Sequence, residues 1–121
     1  MTIAELLANP QFSEKYVLQK LIMEYLHCTR EQMWTEGSKD ISEDLLNKIQ
    51  IGYKAYVEEK KPLEYILGHV SFFGNDFIVN ENTLVPRPET EYMVQAITEY
   101  IQQANLQEAI LMDIGTGCGV L

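Results

Sequence analysis

The strongest constraint on this chain is its last stretch, where the apolar run Ala109-Ile110-Leu111-Met112 passes through Asp113-Ile114 into Gly115-Thr116-Gly117-Cys118-Gly119 and ends at Val120-Leu121. An apolar run of this length followed by turn residues is the pattern of a parallel strand buried on both faces. The glycines after it let the backbone turn sharply and approach a ligand with no Cβ in the way. Such a strand needs neighbours on both edges and cover on both faces. A chain of 121 residues, 46% of them hydrophobic, holds enough apolar material for one modest domain but not for a small domain plus a complete α/β domain. One of the two is therefore expected to be partial.

Charge narrows the partners. The net charge of −9 opposes binding held mainly by phosphate contacts, so neither RNA nor DNA is expected as a direct partner. The two cysteines, Cys28 and Cys118, have no metal-ligand spacing and read as reduced thiols, with no metal site expected. The N-terminus lacks a basic leader, and no stretch approaches the roughly 18 apolar residues of a membrane span, so no membrane partner and a cytoplasmic location are expected.

Three segments follow one another. From Ser13 to His27, apolar residues at Val17, Leu18, Leu21, Ile22, Tyr25 and Leu26 make one stripe of an amphipathic helix. Thr29 and Gln32 have capping-box spacing for a short helix ended by Gly37, and Ser42 caps a longer one striped by Leu45, Leu46, Ile49, Tyr53, Tyr56 and Val57. Residues 1–61 thus read as a small helical bundle. After Pro62, the β-prone runs His69–Phe73 and Phe77–Val79, joined by Gly74-Asn75-Asp76, read as a hairpin, and residues 62–85 as a linker between domains. A further helix begins near Pro88, with Glu89 and Glu91 at its positive end and Tyr92, Met93, Ala96, Ile97, Tyr100 and Ile101 as its buried stripe. A polar loop, Gln102 to Glu108, leads to the terminal strand. The fold class expected is α followed by the start of an α/β domain, residues 86–121.

The glycine loop has competitors. A dinucleotide fingerprint, G-x-G-x-x-G, counted from Gly115 requires glycine at 120, which is Val120. A Walker loop requires a lysine, and none follows Lys61. An acid two residues before G-x-G-x-G resembles instead the first motif of class I S-adenosylmethionine methyltransferases. Glycine is also the default residue of any tight turn, so a purely structural turn stays open at this point.

The resemblance becomes specific at Leu84-Val85-Pro86-Arg87-Pro88-Glu89-Thr90-Glu91, with Pro62-Leu63-Glu64-Tyr65-Ile66-Leu67-Gly68 and Phe73-Gly74 upstream. Together with the glycine loop, this is similar to the HemK/PrmC family, the peptide chain release factor glutamine methyltransferases, over the whole chain. The resemblance implies a helical domain that helps recognise a class 1 release factor, a hairpin linker, and the first helix and strand of a Rossmann-like class I methyltransferase domain. It implies methylation of the glutamine amide in a Gly-Gly-Gln motif, with S-adenosylmethionine as cofactor and a monomer when full length. Asp113, Gly115, Thr116, Gly117, Cys118 and Gly119 would contact the cofactor. Phe73, Arg87 and Pro88 are candidates for the substrate pocket, with Phe72 and Phe77 as further aromatic walls.

Blander readings stand beside these. Asp113 can be a plain helix-entry carboxylate, and a structural salt bridge is the simpler account of Arg87. The hairpin aromatics fit packing, the helix dipole explains Glu89 and Glu91, and His27 and His69 fit a helix end and a hairpin. The family's catalytic Asn-Pro-Pro-Tyr is absent; Asn9-Pro10 is a helix boundary. No catalytic residue is assigned, and the 121 residues are expected to be inactive alone. With both edges unpaired, Ile110 to Ile114 is expected to fray or pair with another copy, leaving residues 1 to 85 the best ordered. A class I methyltransferase of another amide or a nucleobase amino group, or a helical protein-binding module, are the other functions that fit.

Overall fold

Thr2 begins the helical part with a reciprocal cap. Its Oγ1 accepts the Glu5 N–H at 3.2 Å and its own N–H donates to Glu5 Oε2 at 2.8 Å, starting α1 (Ile3–Ala8). These hydrogen bonds hold the Glu5 carboxyl below the usual carboxylate range. This helix is absent from the sequence reading, although Thr-x-x-Glu carries its signal. Thr29 and Gln32 form the expected box, at 3.2 and 2.8 Å, and open α3 (Arg30–Thr35). Between them runs α2 (Lys15–Leu26), which ends on His27 in the left-handed region, φ 50°, with the Cys28 N–H returning to the Met23 carbonyl at 3.1 Å. Ser42 caps α4 (Glu43–Val57) through the Leu45 N–H, at 3.3 Å.

The structure, a computed structural model, describes residues 1–121 and divides into two compact units, Met1–Leu67 and Gly68–Leu121. In the first unit the predicted stripes meet. Val17, Leu18, Leu21 and Ile22 of α2 pack with Ile49 and Tyr53 of α4, joined by Ile3, Leu6, Leu7, Phe12, Met33 and Ile41. Each such side chain contributes about 1.5–3 kcal/mol on full burial. Gly52 lets α4 close on its neighbours, since a Cβ there would lie 3.0 Å from Leu21 Cδ2 and 3.2 Å from Ile66 Cγ2. Ile66 belongs to α5 (Leu63–Leu67), a short helix within the stretch read as linker, whose Leu63, Ile66 and Leu67 pack on the helical core.

The second unit opens with the hairpin. Strands β1 (His69–Phe72) and β2 (Asn75–Ile78) pair antiparallel with Phe72 opposite Asn75, so the turn is Phe73-Gly74 and not the expected Gly74-Asn75-Asp76. Both turn residues have positive φ, 48° and 77°, the arrangement of a two-residue type I′ turn, whose twist matches that of the strands. Phe72 is buried and meets Phe77 edge-on with ring centroids 6.2 Å apart. Helix α6 (Thr90–Gln103) starts two residues later than Pro88, which sits in the preceding turn.

Two expectations about this unit need correction. No strand forms at Ile110 to Ile114; β1 and β2 make the only sheet, and Ile110 and Met112 are 97% and 82% exposed. A strand draws its hydrogen bonds from neighbours, and this run has none. The stripe of α6 is likewise not buried: Tyr92 and Tyr100 are 74% and 66% exposed, and no residue of the helix is buried. No helix is long and apolar enough to cross a membrane.

Candidate functional site

The second unit carries all the candidate residues, in three places. The first is the glycine loop. Gly115, Gly117 and Gly119 have φ of 78°, 57° and 80°, and the Gly119 N–H closes a turn on the Thr116 carbonyl at 2.8 Å. Three left-handed glycines at alternate positions make this backbone one that other residues adopt only with strain. A Cβ added at any of them would meet nothing within 4 Å, so the chain's own packing does not explain the glycines, and one side of the loop is open to a ligand. That geometry fits a cofactor lying against bare backbone. Thr116 and Asp113 are exposed, and Cys118 is a half-buried free thiol.

A groove of about 520 Å³ lies beside the loop, lined by Met93, Ile97 and Ile101 of α6 and by Leu111, Met112 and Asp113. Its walls are mostly apolar, and Asp113 brings a carboxylate to them. Asp113 thus lies at the end of the apolar run, where an α/β sheet would hold a ligand.

The third place is the hairpin tip. A shallower groove of about 350 Å³ is lined by Phe73, Pro88, Glu89, Glu91, Tyr92 and Gln95. Phe73 and Pro88 of the expected substrate pocket come together here; Arg87 does not join them. It is exposed and its guanidinium enters none of the ion pairs, so the structural salt bridge expected of it is not formed. Phe72 and Phe77 pack on each other and not on this groove. Glu91 has a partner beyond the helix dipole: its Oε1 accepts the Phe73 N–H at 2.8 Å. Sequence alone gives no sign of that contact, because it joins residues 18 apart across a turn whose register was misplaced.

His69 Nδ1 lies 2.8 Å from Asp76 Oδ1 across the hairpin, and His27 ends α2. Burial raises the Cys28 thiol pKa, with Glu36 adding to the shift, so the thiol stays protonated. No group of three or more His, Cys, Asp or Glu side chains is placed to hold a metal ion.

No sequence-family model matches the chain. Individual relatives do. A release factor glutamine methyltransferase of Flavobacterium psychrophilum is 50% identical over 66 residues, 54% of this chain and 23% of the relative. One of Koribacter versatilis is 31% identical over 112 residues, 90% of this chain and 38% of the relative, and one of Staphylococcus aureus is 34% identical over 101 residues, 84% and 34%. The chain therefore spans well under half the length of the curated relatives it matches. By these similarities, which reach over most of its own residues, the chain belongs to the release factor glutamine methyltransferase family.

Proposed function

We propose that this chain is part of an enzyme that methylates the glutamine side-chain amide of a class 1 release factor, within its Gly-Gly-Gln motif, using S-adenosylmethionine. The observation that carries the reading is the similarity to enzymes of that name over up to 93% of the chain. The open left-handed glycine loop supports it, because it leaves bare backbone where the resemblance puts the cofactor. S-adenosylmethionine, when bound, supplies the electrophilic methyl group. Gly115, Thr116, Gly117, Cys118 and Gly119 would hold it, with Asp113 as hydrogen-bond acceptor.

In this reading the helical residues 1–61 contact the release factor, residues 62–85 link, and residues 86–121 begin a Rossmann-like domain in which Ile110 to Ile114 is a strand once neighbours pair with it. Phe73 and Pro88 face the substrate side. An amide nitrogen is a poor nucleophile because its lone pair is delocalised, so the reaction depends on acceptors that hold it in line with the methyl group. The family supplies them from Asn-Pro-Pro-Tyr, which these 121 residues lack, so they do not catalyse methyl transfer alone.

Two measurements on the same chain test this. Immobilised chain should retain a class 1 release factor, and residues 1–61 should suffice. Equilibrium dialysis should detect weak S-adenosylmethionine binding that Gly117→Val abolishes. A chain that binds the factor but shows no glycine-dependent cofactor binding supports the helical binding module instead. A chain that binds neither sinks the proposal.

A further inference from the structure

The tip of the hairpin holds an aromatic residue where the backbone favours glycine. Phe73 has φ 48°, followed by Gly74 at 77°, and a non-glycine residue in the left-handed region persists only when its surroundings enforce it. The two-residue turn supplies that left-handed backbone, and a contact from the first turn of α6 ties it down. Glu91 Oε1 accepts the Phe73 N–H at 2.8 Å, a short bond to a carboxylate, the stronger class of protein hydrogen bond. The two residues lie in one compact unit and line the same groove with Pro88 and Tyr92. The other restraints lie within the hairpin, where Asn75 Nδ2 donates to the Phe73 carbonyl at 3.3 Å and the neighbouring Phe72 is buried; the Phe73 ring itself is half exposed, and a Cβ at Gly74 would meet nothing within 4 Å.

We propose that Glu91 is a positioning residue, whose carboxylate latches the strained hairpin turn to the start of α6 and so holds Phe73 in the lining of the groove it shares with Pro88 and Tyr92. The turn type fixes the sign of φ at Phe73, but a hairpin tip tied only by its own strands is free to swing as a unit. The single hydrogen bond from Phe73 N–H to α6 removes that swing. Glu91 needs its reach for this, since its Cα sits on the helix and the N–H that donates to it sits on the turn. The assignment of this groove to the substrate side rests on the function proposed above. The latch does not, and it is read with neither cofactor nor release factor present, so the two fail separately.

Amide hydrogen exchange resolved by NMR tests the latch. In Glu91→Ala the Phe73 N–H should exchange about tenfold faster or more, while amides of β1, β2 and the later turns of α6 keep their rates. Glu91→Gln, which retains an acceptor oxygen, should recover most of the protection. Unchanged Phe73 exchange in Glu91→Ala overturns the proposal. Where Glu91→Ala loosens the whole hairpin, Phe73→Gly in that background decides. Glycine takes positive φ without strain, so restored strand protection supports the latch, and no restoration overturns it.

Discussion

Helices α2 and α6 carry the same kind of signal in sequence and meet opposite fates. Both show apolar residues at helical spacing with polar residues opposite. In α2 the stripe disappears into a core, with Leu18, Leu21 and Ile22 at 0% exposure. In α6 no residue is buried, and the apolar run at Ile110 to Ile114 is open too. Periodicity states which face of a helix is meant for burial and is silent on whether a partner exists. The helical unit contains both halves of its interface, α2 and α4; the second unit contains a helix face and an apolar run that its two-stranded sheet leaves uncovered.

The contrast predicts where truncation of side chains will hurt. Leu21→Ala should destabilise the helical unit by about 2–5 kcal/mol, because it empties a fully packed site at the contact of α2 with α4. Ile97→Ala on α6 should cost roughly 0.5 kcal/mol or less, as surface changes do. Denaturant melts followed by helical circular dichroism separate the two, and equal costs would break the comparison. Gly52 sharpens it further. Its absent Cβ would press on Leu21 Cδ2, so Gly52→Ala should be better tolerated in the Leu21→Ala background than alone.

Tyr53 gives a smaller effect of a different kind. Glu14 caps α2 without a side-chain bond of its own, and the Tyr53 hydroxyl fills the gap by accepting the Glu14 N–H at 2.8 Å. Its ring meets Phe12 edge-on at 4.8 Å. Tyr53→Phe keeps the ring and removes the acceptor, so the cost should be about 1–2 kcal/mol, the penalty for stranding a partly buried donor. A cost near zero would mean that water replaces the hydroxyl.

The first unit was legible because its signals are local. Thr29, Ser42 and the stripes of α2 and α4 each announce an element within a few residues, and short connections bring the stripes together. The hairpin was legible as a hairpin but not in register: Gly74-Asn75-Asp76 has turn composition, yet the twist of the strands selects the two-residue turn and forces Phe73 into left-handed backbone. The glycines of the loop were legible as turn-formers, and their positive φ agrees. Burial at Ile110 to Ile114 and along α6 was not legible, since it depends on strands that these residues do not form. The Glu91 contact was hidden for a related reason, being a bond between a helix and a turn that only the folded hairpin brings together.

A small effect of opposite sign comes from the end of α2, in the stabilising direction. His27 occupies the left-handed position that ends the helix, φ 50°, with its N–H on the Glu24 carbonyl at 3.2 Å and the Cys28 N–H on Met23. Glycine is the residue this position favours, because it has no Cβ to strain there. His27→Gly also frees the unfolded chain, which works against the gain. The relief of strain is the larger of the two, so the helical unit should gain roughly 0.5–1 kcal/mol, read as a higher denaturation midpoint with an unchanged slope. The same substitution logic does not extend to Phe73. Its left-handed backbone is tied to Glu91, and its ring lines a groove, so Phe73→Gly should relax the turn at the expense of the wall that the turn presents. One left-handed residue ends a helix and the other shapes a surface, and only the first is free to be optimised.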